Sequence, residues 1–409
     1  MKRRDRTWVG LIIGVIGTAL LAFLGLFTYI SFTSTPLHPD VAKVPSVQQA
    51  DPMPQWAGAA EQARRIARAS VIEQNLPGLS IAVGVGGDVV WAEGFGWADL
   101  DKRIPVGPRL RFRIGTASTA LTSAGVGLLL EKQKLKLDDE IQTYVPEFPR
   151  KQWPVTVRQV MGHVAGIGND SGDEGPLLSQ HCQRPVDALP AFADDALLFE
   201  PATRYRFSRY DWILVSAAIE KASGEPFLRF MRQQVFEPLD MNDTKEDAAS
   251  APAGEAVTPY FPRFAADTRY GPDPMREVDY SCYAGSSAFV STPSDLVRFV
   301  MAINRGTLLQ PATVQLLQAP QRLLSGQDTG YGLGWDLETV ALPGGSARVA
   351  GHDGDLLGGM VASFMTLPDG TVVAVTSNTS YADTAAIALH IGRIFSEQKK
   401  SPGPARTGS

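Results

Sequence analysis

An α+β architecture, one antiparallel sheet flanked by helices with an inserted all-α lobe, is predicted by three features of the chain. A β-rich hairpin stands near the start of the globular region, a second stands near its end, and the stretch between them reads as mostly helical. Strands supplied by both ends of a chain meet most simply in one sheet, and the intervening helices then cover it and build a lobe at its side. The crevice between sheet and lobe is the natural place for a site.

The elements follow in order. Lys2, Arg3, Arg4 and Arg6 lie in a basic segment, 1–7, ahead of an uncharged run from Trp8 to Ile30. As a helix this run spans about 35 Å, enough to cross a hydrocarbon core. Basic residues before the span keep the N-terminus cytoplasmic and put the rest of the chain outside, in the periplasm if the cell is Gram-negative. A cleaved signal peptide is the competing reading; its shorter apolar stretch and Ala-x-Ala-like site are missing, so residues 8–30 are expected to be an uncleaved signal anchor. Residues 31–55, with Pro36, Pro39, Pro45, Pro52 and Pro54, read as a spacer between bilayer and domain. The domain itself is expected over 56–397, with a frayed tail at 398–409.

Within the domain, Ala57 to Asn75 has the pattern of an amphipathic helix. Leu79 to Val85 and Val89 to Ala92 are β-rich runs joined by Gly86, Gly87 and Asp88. Helices are predicted around Thr116–Glu131, Thr156–His163, Trp212–Ser223, Pro226–Val235 and Pro293–Asn304. Met360 to Leu367 and Thr371 to Thr376 flank Pro368, Asp369 and Gly370 as the second hairpin, and a helix follows from Asp383 to Phe395.

Composition is that of an ordinary globular protein: 20% charged, 44% hydrophobic and net charge -5. Nothing in it suggests disorder or nucleic-acid binding. Five scattered histidines and two cysteines show no metal-ligand spacing, so neither metal nor cofactor is expected. Cys182 and Cys282 fit a disulfide or two buried thiols, and an oxidising compartment favours the bridge.

The segment Phe112 to Thr122, Phe-Arg-Ile-Gly-Thr-Ala-Ser-Thr-Ala-Leu-Thr, resembles the Phe-Arg-Ile-Gly-Ser-x-Ser-Lys segment of class C β-lactamases, their penicillin-binding relatives and the mitochondrial β-lactamase-like proteins. Leu135–Pro149, Thr156–Gly166 with His163, Phe236–Thr244, Ser291–Phe299 and Tyr331–Trp335 are similar to further segments of that family, in the family's order. The resemblance runs from about Ala57 to Phe395 and implies the β-lactamase/transpeptidase-like fold.

It also implies nucleophilic acyl transfer. In such proteins a serine opens a buried helix and a lysine one turn later accepts its proton, while the helix N-terminus faces the developing oxyanion. A Tyr-x-Asn element supplies a second hydroxyl, and a Lys- or His-Thr-Gly strand binds substrate.

This chain departs from each element. Thr116 stands at the serine position and Thr119 at the lysine position, where a hydroxyl is no base at neutral pH. Phe207-Ser208-Arg209 stands for Tyr-x-Asn, so the second hydroxyl is gone. His352-Asp353-Gly354, followed by Asp355, stands for the third element, and a carboxylate there repels the carboxylate of a β-lactam or D-alanyl peptide. Loss of a nucleophile or its base alone typically costs about a million-fold where such groups act as a unit.

Each departure also has a plainer reading. Ser118 is a rescue candidate as nucleophile, yet a slip of two residues puts Leu121 at the base position, and an ordinary polar residue in a first helical turn is the expectation. Thr116 and Thr119 fit packed or capping hydroxyls. His352 fits a general base or a hydrogen-bonded strand histidine that binds substrate, His163 a structural hydrogen bonder, and Tyr205 and Tyr210 core or rim packing. Arg209 and Asp353 either pair across the cleft or are solvated independently. Two functions follow. The first, preferred, is a non-hydrolytic cleft, tethered to the membrane, for a cell-envelope ligand or protein partner; the second is an esterase, amidase or peptidase using Thr116 or Ser118 with His352.

Overall fold

The computed structural model describes residues 2–32, 35–169, 176–247, 254–264, 266–275, 278–342, 345–356 and 360–400. The expected tail therefore lies mostly outside the described residues. In chain order the helices are α1 (Lys2–Phe32), α2 (Ala57–Glu73), α3 (Ser118–Glu131), α4 (Val157–Met161), α5 (Arg209–Ser223), α6 (Phe227–Met231), α7 (Pro293–Arg305), α8 (Pro311–Leu317) and α9 (Thr384–Lys400). The strands are β1 (Ser46–Gln48), β2 (Gly78–Val85), β3 (Asp88–Asp99), β4 (Ile104–Pro105), β5 (Phe112–Arg113), β6 (Lys245–Glu246), β7 (Tyr260–Phe264), β8 (Asp267–Pro274), β9 (Phe289–Ser291), β10 (Asp336–Leu342), β11 (Gly345–Leu356), β12 (Met360–Thr366) and β13 (Val372–Ser377).

One antiparallel sheet runs in the order β1-β3-β2-β13-β12-β11-β10, so strands from the two chain ends meet where β2 pairs with β13, Val83 opposite Val373. Every residue of β2 and of β13 is buried. Strands covered on both faces read as continuous apolar runs rather than alternating ones, and these two do. Against one face lie α2 and α9, with Ala63, Ala67, Trp91, Val375, Ile391 and Phe395 in a common core. Against the other lies a larger core reaching from Ala82 and Ala374 through α7 into the helical lobe around Leu121, Trp212 and Phe227. The turn between β2 and β3 uses Gly86 and Gly87 at φ +64° and +103°, a backbone that L side chains rarely adopt.

Cys182 and Cys282 are bridged, with Cα atoms 4.8 Å apart. The bridge ties the irregular stretch before α5 to the short 3₁₀ turn Ser281–Tyr283. Residues 35–55, expected to be part of a free spacer, lie instead on the domain. Ser46–Gln48 pairs with the edge of β3, Val47 opposite Gly94, and covers backbone groups that an edge strand otherwise leaves open. Of the prolines that suggested a spacer, Pro45 immediately precedes β1 and Pro54 opens a 3₁₀ turn, Pro54–Trp56, ahead of α2.

Candidate active site

The site begins where β5 ends. Gly115, at φ +53°, turns the chain into a 3₁₀ turn, Gly115–Ala117, from which α3 starts at Ser118. Helix α3 is buried on nearly all sides from Ser118 to Gly127, as an almost wholly apolar helix must be. Strand β11 crosses directly over this turn. A Cβ on Gly354 would stand 2.0 Å from the Ile114 carbonyl oxygen and 2.7 Å from the Ala117 nitrogen, so only glycine permits the approach.

Thr116, 7% exposed, donates its hydroxyl to the main-chain carbonyl of Asp353 at 3.1 Å. Thr119, one turn further along the same face, has no exposed surface. Its Oγ1 lies 2.8 Å from the Thr116 carbonyl oxygen and 2.7 Å from His352 Nε2. The Tyr331 hydroxyl reaches the same Nε2 at 3.0 Å. His352 Nδ1 faces two acceptors, the Asp353 carbonyl at 2.6 Å and Asp336 Oδ2 at 3.5 Å. Nδ1 thus faces carbonyl and carboxylate acceptors, while Nε2 faces two hydroxyls, of which Thr119 donates to the Thr116 carbonyl. Burial holds the Tyr331 phenol well above its ordinary pKa, so it stays a donor. The sequence pointed to no base near Thr119; the structure brings an imidazole there, on the hydroxyl that substrate cannot reach.

Below this group His163, fully buried, stands with Nδ1 2.7 Å from Asp211 Oδ2 and 3.2 Å from the Ser208 nitrogen, and with Nε2 3.3 Å from Trp212 Nε1. Burial, with His352 nearby, lowers the His163 pKa to about 3. Burial raises Asp211, so a neutral pair is favoured over two charges. Phe207 packs its ring 4.8 Å from His163, and Tyr205 stands edge-on at 6.1 Å. Tyr210 turns away from the cleft and stacks on Phe192 at 4.2 Å. Ser208 caps α5, accepting from the Tyr210 N–H and donating to the Gly168 carbonyl at 2.6 Å.

The remaining expectations are placed as follows. Ser118 is completely buried, and its Oγ has no hydrogen-bond partner among the described residues. No base stands on it. The Arg209–Asp353 ion pair is not formed. Arg209 opens α5 with its N–H on Asn169 Oδ1 at 2.9 Å, while the Asp353 carboxyl, on the other side of the cleft, has Ser363, Asp336 and Asp383 for neighbours. Asp353 remains open to solvent. Desolvation by the cleft walls, opposed by the Ser363 hydroxyl and reinforced by Asp336, raises its pKa, and its exposure screens the effect. Glu338 on β10 is raised in the same direction, by burial first and then by Asp353 and Asp336. Asp355 lies further along β11, opposite Val361 of β12.

Tyr331 and Asp336 were not singled out as site residues by the sequence. Tyr331 heads the Tyr-Gly-Leu-Gly-Trp segment, which was the available signal for it. Asp336 carried none, because only pairing of β10 with β11 sets it opposite Gly351 and beside His352.

The sequence pattern of the family described as Beta-lactamase matches residues 63–393. Among curated proteins the chain is similar to penicillin-binding protein 4* of Bacillus subtilis, 28% identical over 66% of this chain and 61% of that protein. The chain thus spans about three-fifths of that relative's length. It is also 24% identical to the human mitochondrial serine beta-lactamase-like protein LACTB, over 84% of this chain and 81% of that one. Among solved structures, the octameric penicillin-binding protein homologue from Pyrococcus abyssi superposes with a TM-score of 0.70 at 21% identity, covering 82% of this chain and 77% of that chain.

Proposed function

The chain belongs to the Beta-lactamase family, and on that premise we propose that it is a membrane-anchored, extracytoplasmic member whose cleft binds a cell-envelope ligand or protein partner without hydrolysing it. One observation carries this reading: the Thr116 hydroxyl donates its hydrogen bond to a main-chain carbonyl. An amide carbonyl is no general base, and a hydroxyl that cannot lose its proton is a poor nucleophile. The His352 imidazole at the cleft floor is engaged with Thr119 and Tyr331 instead.

Charge narrows the ligand. Asp336, Glu338 and Asp353 gather on β10 and β11 at the cleft, which favours a cationic or uncharged group there and disfavours a carboxylate. Anchorage is supported by α1, whose window Ile12–Tyr29 has a mean hydropathy of 2.1 and buries nothing against the domain.

A working hydrolase is the second reading, favoured by the 2.7 Å approach of His352 Nε2 to Thr119. Burial of Thr119 weighs against it, since an acyl carbon must reach the attacking oxygen. The purified full chain in detergent is treated with a serine-reactive phosphonate and, separately, a labelled penicillin, and its intact mass is read. No adduct is expected. A covalent adduct on Thr116, Ser118 or Thr119 overturns the non-hydrolytic reading. A variant combining Thr116→Ser, Thr119→Lys and Phe207→Tyr serves as the positive comparison, in which labelling is restored if the scaffold accepts the lysine.

A further inference from the structure

The point at which the anchor leaves the bilayer is fixed to one hairpin of the domain. Helix α1 ends at Phe32, and Thr35 already donates its N–H to the Arg269 carbonyl at 3.0 Å. Asn75 locks this junction: its Nδ2 donates to the carbonyls of Thr35 and Thr268 at 3.0 and 2.8 Å, and its Oδ1 accepts from the Leu37 N–H at 2.8 Å. Three residues of extended chain reach about 10 Å at most, so β7–β8 cannot stand further than that from the end of α1.

The surface of this hairpin differs from the rest of the domain. Beyond α1, the exposed aromatic side chains among the described residues are Tyr205 at the cleft, Phe264 and Tyr381. Phe264, 45% exposed, ends β7 and meets Tyr270 of β8 edge-on at 5.8 Å. Tyr381, also 45% exposed, meets Phe261 of β7 at 5.9 Å. The arginines beside these rings are paired within the hairpin, Arg263 with Asp273 at 3.1 Å and Arg269 with Asp267 at 2.6 Å. The patch is thus aromatic and close to neutral. Exposed phenyl and phenol rings over paired charges suit the interfacial zone of a bilayer, where aromatic rings sit at headgroup level, and do not call for an acidic or basic partner.

We infer that the β7–β8 hairpin, with Tyr381, rests in the interfacial zone of the bilayer that holds α1. The inference depends on the anchored reading given above. It also says where the ligand comes from. Tyr381 lies two residues before Asp383, which caps α9 by accepting from the Ala386 N–H at 3.0 Å and whose charge bears on Asp353 of β11, so the docked hairpin holds this end of the sheet toward the membrane and favours ligands attached to, or partitioned into, the bilayer surface.

The test uses the full chain in phosphatidylcholine nanodiscs, with the photoreactive residue p-benzoylphenylalanine placed in separate samples at Phe264, Tyr381 or Leu324. Leu324, exposed on the helical lobe where its N–H meets the Ala202 carbonyl, is the control. After irradiation, a mass gain of one phospholipid is expected several-fold more often at positions 264 and 381 than at 324. Equal labelling at all three overturns the docking. Extraction of the same membranes with alkaline carbonate separates the two readings: a chain released from the membrane removes the anchor and the docking together, whereas a retained chain without lipid adducts at 264 and 381 removes the docking alone.

Discussion

His163 and Asp211 illustrate how one buried pair sets a pH dependence. The unfolded chain protonates His163 near its ordinary value of 6.5, the folded chain only at about 3. This histidine's share of stability is therefore complete above 6.5 and is lost progressively as the pH falls toward 3. Asp211 acts in the opposite sense, because its raised pKa makes the folded state hold a proton that the unfolded chain has released. The two oppose one another in the parent protein. In Asp211→Asn only the histidine remains, so its melting temperature should fall more steeply with acidification between pH 6.5 and 3 than the parent's, as thermal unfolding at a series of pH values would register. A variant with the parent's slope would mean that His163 is not held neutral by burial. At this scale the sequence located Thr116, Thr119, Phe207, His352 and Asp353, because each lies inside a contiguous motif. Their partners were hidden, since a hydrogen bond between Tyr331 and His352 spans 21 positions and one between Thr119 and His352 spans 233.

Among the elements, the contact of β11 with the turn before α3 governs the site. Gly354 makes it close enough for the Asp353 carbonyl to accept a hydrogen bond from the Thr116 hydroxyl and for His352 to reach Thr119. In Gly354→Ala the new methyl must displace the main chain of Ile114 or Ala117. A loss of about 3 kcal/mol is expected in denaturant unfolding, toward the upper end of what overpacking costs. A near-neutral result would mean that strand and turn separate easily. The hairpins at both ends, and helices such as α5 and α7, were legible from periodicity and turn residues. Strands β10 and β11 and the β7–β8 hairpin were not, because their glycines, prolines and charges serve a cleft and a surface rather than an alternating apolar face. Helix α3 was expected to begin at Thr116; a 3₁₀ turn comes first, as helix starts often do.

For the molecule as a whole, the two chain ends are joined in one sheet while the lobe is inserted between them, and the Cys182–Cys282 bridge closes a 100-residue separation within that insertion. Closing a loop of this size removes about 4.7 kcal/mol of unfolded-state entropy in the chain-entropy model. The double variant Cys182→Ser, Cys282→Ser should therefore unfold at lower denaturant concentration, with a stability loss of a few kcal/mol by the same measure. An unchanged midpoint would show that the lobe is held by its apolar core alone. The bridge suits an oxidising compartment, in keeping with the extracytoplasmic placement proposed above for the domain.

The order of apolar runs, turn residues and motif segments determined the fold class and the apolar span, because those features are local and their periods survive in one dimension. The same local record gave the expectation that Thr116, Thr119, Phe207 and Asp353 stand at the family's catalytic positions. What the changes leave behind was decided in three dimensions. Whether Arg209 meets Asp353, which hydroxyl receives the imidazole, and whether residues 35–55 hang free or lie on the sheet all depend on the separation of segments far apart in sequence. Such separations are set by the packing of the sheet, the turn and the lobe against one another, and no single segment contains them.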